Sequence, residues 1–227
     1  MSSEVSGDAR TPGSHHRPYR RLAIGVVAAT VVIAVSWAMV NRPDIPPVEE
    51  HAFRIVNDAP DALWPVLWPA MQLGNLAAPI LLAGLAAVRR WAWRSIAALL
   101  AAAYGAWGAA QTIKNLVARD RPDVLLHDVV LRESAEGLGF VSGHTAIATA
   151  MVAVAWPYLG WRGRTVAVTL DAMVALGRLH AGAHLPLDVI GGAAIGVLVG
   201  LATSGVFGLP RPGPVALDAP STRSSPR

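Results

Sequence analysis

The sequence predicts an all-α protein, a polytopic membrane helix bundle with six transmembrane helices and both termini in the cytoplasm. Of its 227 residues, 53% are hydrophobic and only 15% are charged, whereas a soluble domain usually carries about 25% charged residues. The hydrophobic residues form long blocks separated by short polar segments, as expected for helices that cross a bilayer. The chain has no cysteine, which excludes disulfide bonds and thiol chemistry.

The first half of the chain begins with a tail and two predicted spans. Residues 1–21 are polar and predict a disordered cytoplasmic tail. Residues 22–40 contain no charged side chain and, at about 1.5 Å per residue, reach about 28 Å, so they predict an uncleaved membrane anchor. Residues 41–61 are polar and include Pro43, Pro46 and Pro47, which indicates a loop. Residues 63–88 form the second span, in which Pro79 marks a tolerated kink.

Four further spans follow, separated by polar breaks and basic turns. Residues 95–113 form the third span, residues 145–158 the fourth and residues 165–177 the fifth. Residues 187–207 form the sixth span, and residues 208–227 predict a second disordered cytoplasmic tail. The fourth and fifth spans are shorter than the roughly 20 residues that usually cross a bilayer core.

Six spans place both termini on the same side of the membrane. The basic segments at residues 17–21, 89–94 and 161–164, together with Arg211, then face that side, which the positive-inside rule makes the cytoplasm. We therefore predict a multi-pass protein of the plasma membrane whose other polar breaks lie on the extracytoplasmic face. The arginines are spread along the chain, which argues against nucleic-acid binding.

Three polar clusters share the predicted extracytoplasmic face, at residues 114–122, 142–144 and 178–188. They contain histidines and cations, including Lys114, the single lysine among 19 basic residues. Because this face of a membrane protein normally carries fewer positive charges, the cations indicate an anionic ligand.

The first cluster, KNLVARDRP, places Lys114 seven residues before Arg121. If the helix continues through the cluster, the two side chains share a face. A lysine point charge and a planar guanidinium there suit a tetrahedral phosphate. Taken alone, this cluster could also be an ordinary basic helix end. We interpret Arg119 and Asp120 as a solvated pair that interacts locally.

The second cluster, FVSGHTA, has the features of a helix N-terminus that binds an anion. Ser142 or Thr145 is expected to cap the following helix, and Gly143 allows the backbone to approach a ligand closely. Free N–H groups at such an end bind anions, and His144 in the first turn is placed to donate a proton. A capping motif with an interfacial histidine is the alternative.

The third cluster, GRLHAGAHLPLDVIGG, predicts that the sixth helix starts near Pro186. Asp188 then lies in its first turn and His184 just outside it, where the carboxylate can hold one imidazole nitrogen and leave the other free to attack. The alternative is a metal site, because His180, His184 and Asp188 are spaced four residues apart. Pro186 argues against it by interrupting the helix, and His180 is then interpreted as an interfacial residue.

Together, the clusters resemble the motifs of the type-2 phosphatidic acid phosphatase superfamily. That family shares a lysine followed after six residues by Arg-Pro, then Pro-Ser-Gly-His, and finally Ser-Arg, five residues, His, three residues and Asp. Within about residues 60–207, this chain has the same order and spacing at the following positions: Lys114, Arg121, Pro122, Ser142, Gly143, His144, Arg178, His184 and Asp188. Two positions differ, since Val141 and Gly177 replace the usual proline and serine.

The resemblance implies a role for each matching residue. His184 would attack phosphorus and form a phosphohistidine, Asp188 would orient His184, and His144 would protonate the leaving group. The phosphoryl oxygens would be held by Lys114, Arg121, Ser142, Gly143 and Arg178. That family uses no metal, so the resemblance implies neither a metal ion nor another cofactor.

The function implied by the resemblance is hydrolysis of a phosphomonoester or diphosphate of a lipid, such as a prenyl diphosphate, a phosphatidate or a phosphatidylglycerophosphate. The implied partners are this substrate and the membrane lipids. Two alternatives stay open: phosphoryl transfer to an acceptor other than water, and non-enzymatic phospholipid binding or transport. Residues 123–139 are long enough for a lid, and Asp171 is expected to be a structural partner of a polar neighbour such as Gln111.

Overall fold

The computed structural model describes residues 17–42, 44–134 and 136–209, and within these residues all regular structure is helical. The α-helices are α1 (Arg17–Val40), α2 (Pro47–Asn57), α3 (Trp64–Met71), α4 (Ala78–Val88), α5 (Trp93–Val117), α6 (Pro122–Leu125), α7 (Gly143–Ala155), α8 (Trp161–His180) and α9 (Pro186–Val206). Most of each predicted tail lies outside the described residues. However, α1 begins at Arg17, so the last residues of the predicted N-terminal tail are helical.

Length and composition support α1, α5 and α9 as membrane spans, and a fourth span if the bent pair α3–α4 counts as one. The six predicted spans are therefore supported only in part, although each predicted segment contains a helix. α7 has 13 residues and reaches only about 20 Å. α8 has 20 residues but carries three arginines and Asp171, and such charges oppose insertion into a bilayer.

The second predicted span is broken rather than kinked, and its two parts meet at 76°. Asn75 forms the break, because its Oδ1 accepts hydrogen bonds from the N–H groups of Ala77 and Ala78, both at 2.9 Å. Pro79 lies in the first turn of α4, where a helix needs no N–H donor. The proline therefore starts a new helix instead of bending an existing one.

α7 is the central helix of the bundle and packs against α5, α8 and α9. Its contacts depend on glycines: a Cβ at Gly196 of α9 would lie 2.6 Å from the carbonyl oxygen of Ala146, and one at Gly74 would lie 2.5 Å from that of His144. Small residues at such crossings let membrane helices approach closely. The N-terminal end of α7 is thereby held between α9 and the break before α4.

The loop predicted for residues 41–61 is wrong, because α2 occupies Pro47–Asn57. The prolines that indicate a loop instead start this helix, since Pro47 is at its first position. Acidic side chains in its first turn stabilise the helix by interacting with the positive end of its dipole. Glu49, Phe53 and Asn57, spaced four residues apart, form its buried face.

Residues 126–134 form a layer with α2 and the end of α8 that we call the outer layer. Asn57 Nδ2 donates to the carbonyl oxygen of Val130 at 2.9 Å, and the Val130 N–H donates to Asn57 Oδ1 at 2.9 Å. Arg132 Nη1 donates to the carbonyl oxygens of Asn57 and His180, at 2.8 and 2.6 Å. These bonds attach α2 to the same end of the bundle at which α8 ends and α9 begins.

Candidate active site

A cavity of about 540 Å³, which we call the cationic cavity, lies where α5, α7 and α8 end or begin. The side chains that line it include most of the residues predicted from the three clusters: Lys114, Arg121, Gly143, His144, Arg178 and His184. Ser142 and Asp188 are fully buried beside it and do not line it. Residues up to 70 positions apart in sequence therefore meet at one place in the fold.

The two cations of the first cluster do not share a helix face. α5 ends at Val117, and Ala118 follows in the left-handed conformation with a φ of 51°. Arg121 lies beyond this turn, in extended conformation before Pro122. The turn, rather than a continued helix, brings Arg121 to the same cavity as Lys114.

Backbone carbonyl groups of the loop before α7 contact both of these cations. Lys114 Nζ donates to the carbonyl oxygens of Leu138 and Gly139. Arg121 Nε donates to the carbonyl oxygen of Gly137 at 2.9 Å, and its Nη1 donates to that of Ala183 at 2.7 Å. The segment predicted as a lid thus supplies neutral acceptors to both cations.

Arg178 is the third cation of the cavity, and it is paired with an acid of the outer layer. Its Nη1 lies 3.3 Å from Glu133 Oε1, and both Arg178 Nε and Glu133 Oε2 are buried without a hydrogen-bond partner among the described residues. The preceding Gly177 allows α8 to pack tightly on α3, because a Cβ there would lie 3.3 Å from that of Met71. This contact explains a glycine at the position where the family has serine.

Ser142, one of the two predicted candidates, is the N-cap of α7. Its Oγ accepts hydrogen bonds from the N–H of Thr145 at 3.5 Å and from the Thr145 hydroxyl at 3.2 Å. Its own N–H donates to the carbonyl oxygen of Asp188 at 2.8 Å. Gly143 and His144, the first two residues of the helix, line the cavity, so the free N–H end of α7 faces it.

His184 precedes α9, which begins at Pro186 as the sequence predicts. Its Nδ1 lies 3.5 Å from Asp188 Oδ2, and Asp188 Oδ2 also accepts a hydrogen bond from the Leu185 N–H at 2.8 Å. Burial, together with the neighbouring cation Arg178, lowers the pKa of His184 well below its usual value. The imidazole is therefore neutral at neutral pH.

The interpretation of Arg119 as a solvated partner of Asp120 is wrong. Arg119 is only 8% exposed, and its Nη1 donates to Asp188 Oδ1 at 2.9 Å. Both of its Nη atoms also bind the carboxylate of Glu49 on α2, at 3.0 and 2.7 Å. Glu49 is the residue near the site that the sequence interpretation misses, because it lies in the segment predicted to be a loop.

The interpretation of His180 as an interfacial residue is also wrong, since the side chain is completely buried. Its Nδ1 lies 3.0 Å from the carbonyl oxygen of Val56, and its ring packs against Trp64 with centroids 6.2 Å apart. His180 therefore contacts α2 and α3, whereas His184 contacts Asp188. The spacing of four residues does not bring the three side chains to one point.

Asp171 has a structural partner as expected, but the partner is on α7. Thr149 Oγ1 donates to the Asp171 carboxylate, with distances of 2.9 and 3.0 Å to its two oxygens. Gln111, the partner named from sequence, lines the cationic cavity instead.

Comparisons with known proteins agree with these motifs. The family model described as the PAP2 superfamily matches residues 91–212. LpxE from Aquifex aeolicus has a similar crystal structure, with a TM-score of 0.67 and 24% identity over 72% of this chain and 98% of that one. A PAP2 type phosphatidylglycerolphosphate phosphatase from Bacillus subtilis has a TM-score of 0.65 and 19% identity over 80% of this chain and 95% of that one. No curated protein sequence matches the chain.

Proposed function

Because this chain belongs to the PAP2 superfamily, we propose that it is an integral-membrane phosphatase that hydrolyses a phosphomonoester or diphosphate of a lipid without a metal ion. The observation that carries the proposal is the convergence of three distant motifs on one cavity. Two histidines face a pocket with three cations there, whereas a site for binding alone needs only the cations. The fold is shared with LpxE and with a phosphatidylglycerolphosphate phosphatase, and the second of these supports the same activity.

The cationic cavity suits a phosphoryl group in its transition state. Negative charge then spreads over three equatorial oxygens, and fixed cations and backbone N–H groups stabilise it. Lys114, Arg121 and Arg178 supply three positive charges, and the first turn of α7 at Gly143 supplies N–H donors. These groups take the part that Mg²⁺ plays in many other phosphoryl-transfer enzymes.

The reaction proceeds in two steps through His184. Its Nδ1 is next to Asp188, so Nε2 attacks phosphorus, and the bond from phosphorus to the leaving oxygen breaks as the N–P bond forms. Burial and the cations of the cavity lower the pKa of His144 to about 3. The negative charge of a bound phosphate offsets both effects, so that His144 binds a proton with the substrate and gives it to that oxygen. In the second step His144 takes a proton from water, the water oxygen attacks phosphorus, and the N–P bond breaks to release inorganic phosphate and neutral His184.

Apolar residues at the cavity support a lipid as the substrate. Trp107 and Leu76 line the cavity and are 38% and 45% exposed, and Ile147 lines it from α7. In a membrane, the exposed apolar surface of α4 and α5 contacts acyl or prenyl chains. A lipid can therefore keep its chain beside these helices while its phosphate reaches the cations.

The assay that tests the function measures phosphate release by purified protein in detergent with excess EDTA. The substrates are a phosphatidate, a phosphatidylglycerophosphate and a prenyl diphosphate, and we expect release from at least one of them. Activity that disappears with EDTA and returns with zinc would contradict the metal-free mechanism. If the protein released phosphate from no lipid of a broad panel, that result would favour lipid binding without catalysis. If labelled phosphate were found on a lipid rather than as free phosphate in water, the protein would be a phosphotransferase.

We also propose that the cavity faces outward and that both termini lie in the cytoplasm of a plasma-membrane protein. The native chain has no cysteine, so single cysteines can report each side. We expect His127→Cys in the outer layer to react with a membrane-impermeant maleimide in intact cells. Arg89→Cys, in the turn between α4 and α5, is expected to react only after permeabilisation, and labelling of both from one side would contradict this topology.

Glu133→Gln is expected to lower the KM for a lipid phosphate about twofold to fivefold, the range of a partly exposed ion pair. The reason is that the Glu133 carboxylate competes with the substrate for Arg178. Steady-state kinetics of phosphate release measures the effect. Asp128→Asn, which removes an exposed carboxylate of the same outer layer, is the matched control and is expected to leave the KM unchanged. An unchanged or raised KM for Glu133→Gln would contradict this competition.

A further inference from the structure

Three charged side chains form a buried row behind His184, which we call the acid–arginine row: Asp188, Arg119 and Glu49. Their exposed fractions are 0%, 8% and 4%. Arg119 lies between the two acids and donates to both of them, to Asp188 at 2.9 Å and to Glu49 at 2.7 and 3.0 Å. The row begins on α9 at the imidazole and ends on α2 in the outer layer.

The hydrogen bonds of this row fix the orientation of Asp188. Its Oδ1 accepts from Arg119, and its Oδ2 accepts from the Leu185 N–H and faces His184. Glu49 holds Arg119 in place with both carboxylate oxygens, and its Oε1 also accepts from the Leu187 N–H at 3.1 Å. Glu49 therefore contacts both the arginine and the first turn of the helix that carries Asp188.

The charge of the row matters as well as its geometry. Arg119 alone would neutralise Asp188, whereas Glu49 balances Arg119 and leaves the row with a net charge of one negative unit. His184 becomes positively charged when it carries a phosphoryl group, and three cations already surround it on the cavity side. A negative charge behind the ring stabilises that state, and it acts strongly because the region is buried.

Stability alone is a weak reason for such a row. Taking a guanidinium and two carboxylates out of water is costly, and a buried ion pair is often no more stabilising than apolar side chains of similar size. α2 is also anchored without Glu49, by the buried Phe53 and by the hydrogen bonds of Asn57. Unlike Phe53 and Asn57, Glu49 binds Arg119 and is connected through it to Asp188.

We propose that Glu49 is a positioning residue for phosphoryl transfer, which acts through Arg119 and Asp188 on the nucleophile His184. This inference depends on the proposed phosphatase function, since it assigns a residue to that reaction. Glu49 does not line the cationic cavity. Its removal therefore affects the reaction of bound substrate rather than the binding of phosphate.

The test compares Glu49→Gln with Glu50→Gln, its neighbour on α2, whose partner is Arg54 on the same helix. We expect Glu49→Gln to lower kcat about 10- to 100-fold, the effect known for residues that orient the ligands of metal sites. The KM and the inhibition constant for inorganic phosphate are expected to stay within about twofold of wild type, because the cations of the cavity are unchanged. Glu49→Asp should restore part of kcat, and Glu50→Gln should match wild type.

A double-mutant cycle separates positioning from a general effect on folding. If Glu49 acts through Asp188, then Glu49→Gln should not lower kcat further when Asp188→Asn is already present. Independent, multiplying effects of the two changes would overturn the inference. The inference would also be overturned if Glu49→Gln had the same kcat as Glu50→Gln. It would be overturned as well if Glu49→Gln lost inhibition by inorganic phosphate at the same time as it lost kcat. A wild-type protein that releases no phosphate would overturn the proposed function, and this inference with it.

Discussion

His184→Ala is expected to abolish phosphate release, with a fall in kcat/KM of about 10⁴- to 10⁶-fold, the range found when a nucleophile is removed. His184 is the buried histidine next to Asp188, and the substitution leaves the three cations of the cavity in place. Substrate binding should therefore persist while the covalent step is lost. Turnover of a lipid phosphate by matched amounts of purified variant and wild type measures the effect.

The covalent intermediate provides a second measurement of the same role. Wild-type protein that is quenched with base during turnover of a ³²P-labelled substrate is expected to carry base-stable label at His184, since phosphohistidine survives base. His184→Ala should carry none. The matched control is His51→Ala, because His51 is an exposed histidine of α2, and its turnover should equal that of wild type. Near-normal turnover of His184→Ala would remove His184 from the role of nucleophile.

Local signals in the sequence predict the elements that lie next to the chemistry. Ser142 before a run of small apolar residues predicts the cap of α7, and Pro186 with Asp188 two positions later predicts the start of α9. Both signals are local: Ser142 acts through a hydrogen bond within the first turn, and Pro186 acts through its fixed φ and missing N–H. The same reasoning is ambiguous for Pro47, since proline occurs both in loops and at the first position of a helix, and α2 is therefore missed.

Contacts between distant parts of the chain are what the sequence does not reveal. Arg119 follows a helix and precedes Asp120, so a local solvated pair is the simplest interpretation. Its partners are instead Glu49 and Asp188, 70 and 69 residues away. A glutamate in a polar segment carries no signal that it will be buried, because burial depends on how α2 packs on the end of the bundle.

The six predicted spans are supported only in part, for a related reason. Hydropathy reports how well a segment suits lipid, but α7 is surrounded mainly by other helices, and most of its side chains are buried. α8 carries Asp171 within the bundle, where Thr149 satisfies the carboxylate. Interior helices of this kind need not be long or uniformly apolar, so composition identifies only three or four spans.

His144→Ala is expected to lower kcat for a lipid phosphomonoester about 10²- to 10⁴-fold, the usual contribution of a general acid or base. An alkoxide leaving group is a strong base and needs the proton that His144 supplies. Nitrophenyl phosphate releases an anion that is already stable at neutral pH, so the first step should survive the substitution. The second step still lacks its base, because water must lose a proton to attack the phosphohistidine.

Rapid mixing of His144→Ala with nitrophenyl phosphate should therefore show a burst of nitrophenol equal to the enzyme concentration, followed by slow turnover. The phosphohistidine at His184 should accumulate during the slow phase. His127→Ala, an exposed histidine of the outer layer, serves as the control and should behave like wild type with both substrates. If His144→Ala slows the first turnover of nitrophenyl phosphate as much as that of the lipid, then His144 is not the acid. Its place in the cavity would then have to be explained by binding of the phosphoryl group.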